Sequence, residues 1–132
     1  MKIQSLDHLV LTVADIERTC QFYSEILGME VITFNHNRKA LRFGDQKINL
    51  HQLGHEFEPK AKFPTPGSAD LCLLTQTPLA EVISELDTKQ IAIEQGPIAK
   101  HGALGALQSV YLRDPDQNLI EISNYTKKTS TN

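Results

Sequence analysis

The sequence predicts an α+β fold in which two β-α-β-β-β modules form one curved mixed sheet, with helices on its convex side. Three observations predict it. The order strand, helix, three strands occurs twice; a Pro- and Gly-marked linker at about 55–68 separates the two runs; and apolar residues alternate in the strands and form a stripe in the helices. The modules span about 4–54 and 69–125, leaving a polar tail at 126–132 that is expected to fray.

Leu6–Val13 alternates as a strand, with Leu9, Leu11 and Val13 on one face. Asp15 is suited to cap a helix over Ile16–Leu27, whose Ile16, Cys20, Tyr23, Ile26 and Leu27 keep helical spacing, and Gly28 stands where such a helix ends. Met29–Phe34, Ala40–Phe43 and Lys47–Leu53 then read as strands, the last two joined by the turn Gly44-Asp45-Gln46.

In the second module Ala69–Thr75 is a strand and Thr77-Pro78 reads as an N-cap followed by a first-turn proline. The helix Leu79–Thr88 carries Leu79, Val82, Ile83 and Leu86 on one side. Ile91–Glu94, Ser109–Arg113 and Leu119–Ser123 read as strands; Gly96–Gly105 reads as a glycine-rich loop, and Asp114–Asn118 as a tight turn.

Composition narrows the function classes. The chain has 132 residues, 40% of them apolar and 22% charged, with a net charge of −3, which suits one globular domain. No basic patch marks a nucleic-acid footprint, and no apolar run is long enough for a membrane span. The start of the chain has no signal-peptide pattern. Cys20 and Cys72 are too few for a disulfide framework and read as reduced thiols. A cytoplasmic protein facing small molecules or other proteins is expected.

Strand alternation carries the chemistry. Leu9, Leu11, Ile48, Leu50, Leu71, Leu73, Ile120 and Ile122 face the helices, which turns His8, His51, Asp70 and Glu121 to the opposite face. The repeat relates His8 to Asp70 and His51 to Glu121. Two imidazoles and two carboxylates suit a divalent ion such as Ni, Zn, Co, Mn or Fe with places left for water or substrate. The same pattern also fits a solvated sheet face.

Asp7-His8, Phe22-Tyr23-Ser24-Glu25-Ile26-Leu27-Gly28 and Asp114-Pro115-Asp116-Gln117-Asn118-Leu119-Ile120-Glu121 resemble the signatures of the vicinal oxygen chelate superfamily over nearly the whole chain. That superfamily includes glyoxalase I, extradiol dioxygenases and the fosfomycin and bleomycin resistance proteins. Arg38–His51 and Phe57–Lys60 resemble its small glyoxalase-domain members, which include virulence-protein-like chains.

The resemblance implies a concave metal site held by His8, His51, Glu121 and Asp70, with Glu121 doubling as the proton-transferring base. It also implies a homodimer. Glyoxalase I usually has a carboxylate at the His51 position and a histidine at the Asp70 position, so the donors are redistributed here. Thr12 stands where glyoxalase I commonly has an arginine for the glutathione carboxylate; Arg42, Lys47, Lys100 and Arg113 are the candidates to bind substrate instead. The implied activity is glyoxalase I-like isomerisation, with glutathione as a possible co-substrate. Extradiol cleavage of catechols, with His101 as an acid–base group, is the alternative, and metal-free drug binding a second.

Overall fold

The computed structural model describes residues 1–126. The α+β fold of two β-α-β-β-β modules is as expected, with hydrogen bonding dividing the strands into two four-stranded mixed sheets. Two compact units follow. The first comprises residues 1–69 with the turn 114–117; the second comprises residues 70–113 with the chain from Asn118. The segment expected as a linker therefore belongs to the first unit.

The first unit contains β1 (His8–Val13), α1 (Ile16–Glu25), β2 (Glu30–Phe34), β3 (Arg38–Phe43) and β4 (Gln46–Gln52), with strand order β1-β4-β3-β2. β1 and β4 are parallel and the other pairs antiparallel. Leu11, Val13, Leu41, Ile48 and Leu50 are buried, as the alternation requires. Asp15 accepts from the Arg18 N–H at 3.2 Å and caps α1. The helix ends at Glu25, two residues earlier than expected, and the chain leaves it through Gly28 at φ +70°. β3 begins at Arg38, before the expected Ala40, because Asn35, His36 and Asn37 close the preceding turn at positive φ.

Phe22-Tyr23 and Asp114-Pro115-Asp116, two stretches that carry the family resemblance, meet in a structural contact. The buried Tyr23 hydroxyl donates to Asp114 Oδ2 at 2.6 Å. Asp114 Oδ1 accepts from the Asp116 N–H, and Asp116 accepts from the Ala14 N–H. Gly67 lies against this turn at φ +84°, where a Cβ would strike the Asp116 carbonyl oxygen.

The second unit contains β5 (Asp70–Leu74), α2 (Leu79–Thr88), β6 (Gln95–His101), β7 (Ala106–Arg113) and β8 (Leu119–Tyr125), with order β5-β8-β7-β6. The strand expected at Ile91–Glu94 is absent. It begins instead at Gln95 and runs through most of the expected glycine-rich loop. Pro97 is tolerated because β6 is an edge strand and its register shifts between Gln95 and Ile98. A Cβ on Gly96 would strike the Ser109 carbonyl oxygen. What remains of the loop is closed by Gly102 N–H to Gly105 O at 2.7 Å.

The Thr77 side chain does not cap α2. Pro78 occupies the cap position, and Asn124 Oδ1 of β8 accepts the Leu79 N–H at 2.8 Å. Thr126 bonds to the Ala106 carbonyl, and the rest of the expected tail lies outside the described residues. No helix among the described residues is long and apolar enough to cross a membrane.

Candidate metal and substrate site

Each sheet turns one polar face away from its helix, and the registers show which positions correspond. In the second unit Asp70 lies opposite Leu119 and Cys72 opposite Glu121. In the first, His8 lies opposite Lys47 and Val10 opposite Asn49. With the first residues of β1 and β5, His8 and Asp70, taken as equivalent, the position that corresponds to Glu121 is Asn49 rather than His51.

His51 stands opposite Thr12, four residues beyond the level of His8. At ~3.3 Å per residue this places it roughly 13 Å further along the sheet. Its ring is buried and meets the Phe57 ring edge-on at 5.6 Å. Burial, followed by the nearby Arg38 guanidinium, holds this imidazole below its ordinary value. Within the first unit His8 and His51 do not converge on one ion.

His8 is half-exposed, and its Nδ1–H donates to Asp7 Oδ2 at 2.7 Å. That bond fixes the tautomer and leaves Nε2 with a free lone pair, as in histidines that bind metal. Asn49 Oδ1 is buried with no hydrogen-bond partner. A carbonyl oxygen left this way is costly unless something else binds it. His8 and Asn49 in the first unit, and Asp70 and Glu121 in the second, are each of donor types that suit a divalent ion. No group of three or more His, Cys, Asp or Glu side chains placed to hold a metal ion is found among the described residues.

Glu121 is the best-supported side chain in the second unit. Its Oε2 accepts from Ser109 Oγ at 2.6 Å and from Ser123 Oγ at 3.3 Å. The two serine hydroxyls are 2.6 Å apart and fully buried. Tyr111 also donates to Glu121; burial first, then this bond, pushes its phenol up to about 12. Cys72 Sγ lies 3.3 Å from Ser123 Oγ, and Asp70 is exposed at the start of β5.

Of the substrate-binding candidates, Arg42 is paired with Glu30 at 2.8 Å and Arg113 with Glu94 at 3.0 Å. Lys47 lies over the Phe34 ring at 4.2 Å and Lys100 over the Tyr111 ring at 5.6 Å. His101 ends β6 and is exposed. Sequence reasoning missed Ser109, Tyr111, Ser123, Asn49 and Arg38. Alternation around the buried Val110 and Leu112 would have found the two on β7.

The sequence profile described as Glyoxalase/Bleomycin resistance protein/Dioxygenase superfamily matches residues 5–122. The chain belongs to this superfamily. Within it, Virulence protein STM3117 of Salmonella typhimurium (strain LT2) is 59% identical over 125 residues, covering 95% of this chain and 87% of that one. Its crystal structure matches with a TM-score of 0.94 over 96% of this chain and 100% of the other. The Glyoxalase domain-containing protein RDO1 of Mycosarcoma maydis is 50% identical over 95% of this chain and 70% of its own length. A lactoylglutathione lyase from Agrobacterium tumefaciens shares the fold, with a TM-score of 0.72 at 18% identity over 93% of this chain and 95% of that one. Superfamily membership leaves the reaction open, because the same fold carries enzymes and resistance proteins.

Proposed function

We propose that this chain is a divalent-metal-dependent enzyme of the glyoxalase I type, which moves a proton between adjacent carbons of an oxygenated small molecule. The observation that supports it best is Glu121, whose carboxylate is oriented by Ser109, Ser123 and Tyr111. No cation pairs with it among the described residues. A carboxylate with no cation against it is open to take a proton from carbon.

The side chains offered as ligands are, in the first unit, His8, with Asn49 in the place first given to His51, and, in the second unit, Asp70 and Glu121. When bound, the ion supplies Lewis-acid stabilisation for negative charge on the substrate oxygens. Asp7 orients His8. Ser109 and Ser123 aim the Glu121 carboxylate, which takes the proton from one carbon and returns it to the next. Tyr111 stays protonated at neutral pH and remains a donor to that carboxylate.

Metal analysis of protein purified without chelator tests the first half of this reading. Retained divalent ion in the wild type and its loss in His8→Ala and Glu121→Ala are expected; unchanged retention in both variants sinks it. The second half is tested with the methylglyoxal–glutathione adduct and with substituted catechols under air. Isomerisation of the adduct without oxygen uptake is expected. Oxygen uptake with catechols and no isomerisation would replace it with the dioxygenase reading.

A further inference from the structure

The strand registers bring Thr12, His51 and Arg38 to one level of the first unit's open face. Thr12 pairs with His51 across β1 and β4. Lys39 pairs with Leu50 across β3 and β4, so Arg38 and His51, the next residues outward, stand level with each other. Phe57 lies against both side chains. The Arg38 guanidinium is 4.0 Å from its ring centroid, and the His51 ring meets it edge-on at 5.6 Å.

None of these three side chains makes a hydrogen bond or ion pair among the described residues. For His51 this is unusual, because its residue is only 8% exposed and buried polar groups normally find partners. The polar side-chain atoms sealed off without a partner are Thr19 Oγ1 and Asn49 Oδ1 among the described residues, so the His51 nitrogens still open to the surface. Arg38 is half-buried, and stacking on Phe57 occupies the face of its guanidinium while leaving the in-plane N–H groups free. A ring face supplies no counter-charge. Glu56, beside Phe57 in the chain, is matched by Lys60 at 3.5 Å, and Glu30 on β2 by Arg42 at 2.8 Å.

We propose that Arg38 and His51 form a subsite for a single carboxylate of a small-molecule ligand. The in-plane fork of Arg38 takes both carboxylate oxygens, and the His51 N–H donates to the one turned toward β4. The Thr12 hydroxyl flanks His51 on its other side. One unmatched guanidinium balances the single charge of a flat carboxylate, whereas a phosphate dianion would leave a charge unmet. The level of His51 is four residues from that of His8, roughly 13 Å along the sheet, so the carboxylate sits at the end of the ligand remote from His8. As an assignment of substrate class the inference rests on the enzyme reading above; as a binding site it stands apart from it.

Nuclear magnetic resonance titration of the full chain with propionate, propionamide and inorganic phosphate at constant ionic strength tests it. Propionate is expected to shift the amides around Arg38, His51 and Phe57 saturably. It should bind about tenfold or more tighter than propionamide, and tighter than phosphate. Arg38→Gln should weaken propionate by about tenfold and His51→Phe by about threefold. Arg38→Lys should recover only part of the loss, because a point charge lacks the fork. His8→Ala should leave propionate binding intact. No saturable shift, equal binding of propionamide or tighter binding of phosphate overturns the proposal. So does unchanged propionate affinity in Arg38→Gln or His51→Phe, or its loss in His8→Ala. Circular dichroism and melting temperature show that the variants are folded. Binding is read without turnover, so it can fail while metal retention and Glu121-dependent activity stand, and the reverse also holds.

Discussion

The two units share a strand order and a pairing register, yet their open faces carry opposite chemistry. The first presents His8, Arg38, Lys47 and His51 among phenylalanines; the second presents Asp70 and Glu121 among serine and tyrosine hydroxyls. The helix-facing residues differ little in kind, being Leu, Ile and Val in both. A duplicated scaffold constrains the buried side of each strand through packing, while every second residue on the other side is free to diverge. The difference between the faces is therefore where specialisation should be sought.

The largest effect should come from breaking that asymmetry at its acidic end. Glu121→Gln keeps the size and an acceptor for Ser109 but removes the base. It should lower turnover of a competent substrate by about 10²–10⁴-fold, with the fold unchanged by circular dichroism. Ala at the register-equivalent Asn49 should cost less than about tenfold at saturating metal, since an amide moves no proton. Equal losses at both positions would mean that the faces are not functionally distinct.

Tyrosines sharpen the same contrast in stability. Tyr23 belongs to the first unit's buried turn contact and Tyr111 to the second unit's open face. Tyr23→Phe leaves Asp114 without its 2.6 Å donor and should destabilise the protein by about 1.5–3 kcal/mol in chemical denaturation. Tyr111→Phe should matter less for stability than for activity.

Alkaline pH separates them further. Burial raises both phenols in the folded state, Tyr111 to about 12 and Tyr23 beyond the usual range. Above pH ~10 the unfolded chain releases these protons first, so stability must fall, by about 1.4 kcal/mol per pH unit for the buried Tyr23. The contribution of Tyr111 ends near pH 12. Tyr23→Phe should flatten the decline most; an unchanged alkaline slope in that variant would contradict the burial argument.

A smaller effect is expected at Ser109, which touches the carboxylate but moves no proton itself. Ser109→Ala should lower kcat by about tenfold with KM little changed, and Ser109→Thr should recover part of it. Equal loss in stability and activity would recast Ser109 as a packing residue.

Much of this was legible in the sequence, and the failures are instructive. Leu11, Ile48, Leu50 and Ile120 announced the buried faces because burial enforces alternation. Phe22-Tyr23 and Asp114-Pro115-Asp116 announced the superfamily, though they do so through a structural contact remote in role from the chemistry. β6 was hidden, because Gly96 and Pro97 look like a loop unless the strand is known to be an edge. The Glu30–Arg42 and Glu94–Arg113 pairs were hidden too, since cross-strand neighbours depend on register and not on spacing.

His51 is the sharpest case, and the smallest expected effect lies there. Counting residues along the chain made it the counterpart of Glu121, but one unit's insertions shift such a count without moving any strand. The pairing of Val10 with Asn49 and of Cys72 with Glu121 is a local measure that insertions cannot disturb. On that measure His51→Ala should leave metal retention unchanged, with only the modest stability loss of an emptied ring site against Phe57. Asn49→Ala should weaken retention instead, while removing a buried carbonyl oxygen that lacks a hydrogen-bond partner. The opposite outcome, metal lost in His51→Ala and kept in Asn49→Ala, would show that the donors do not follow the repeat of the strands.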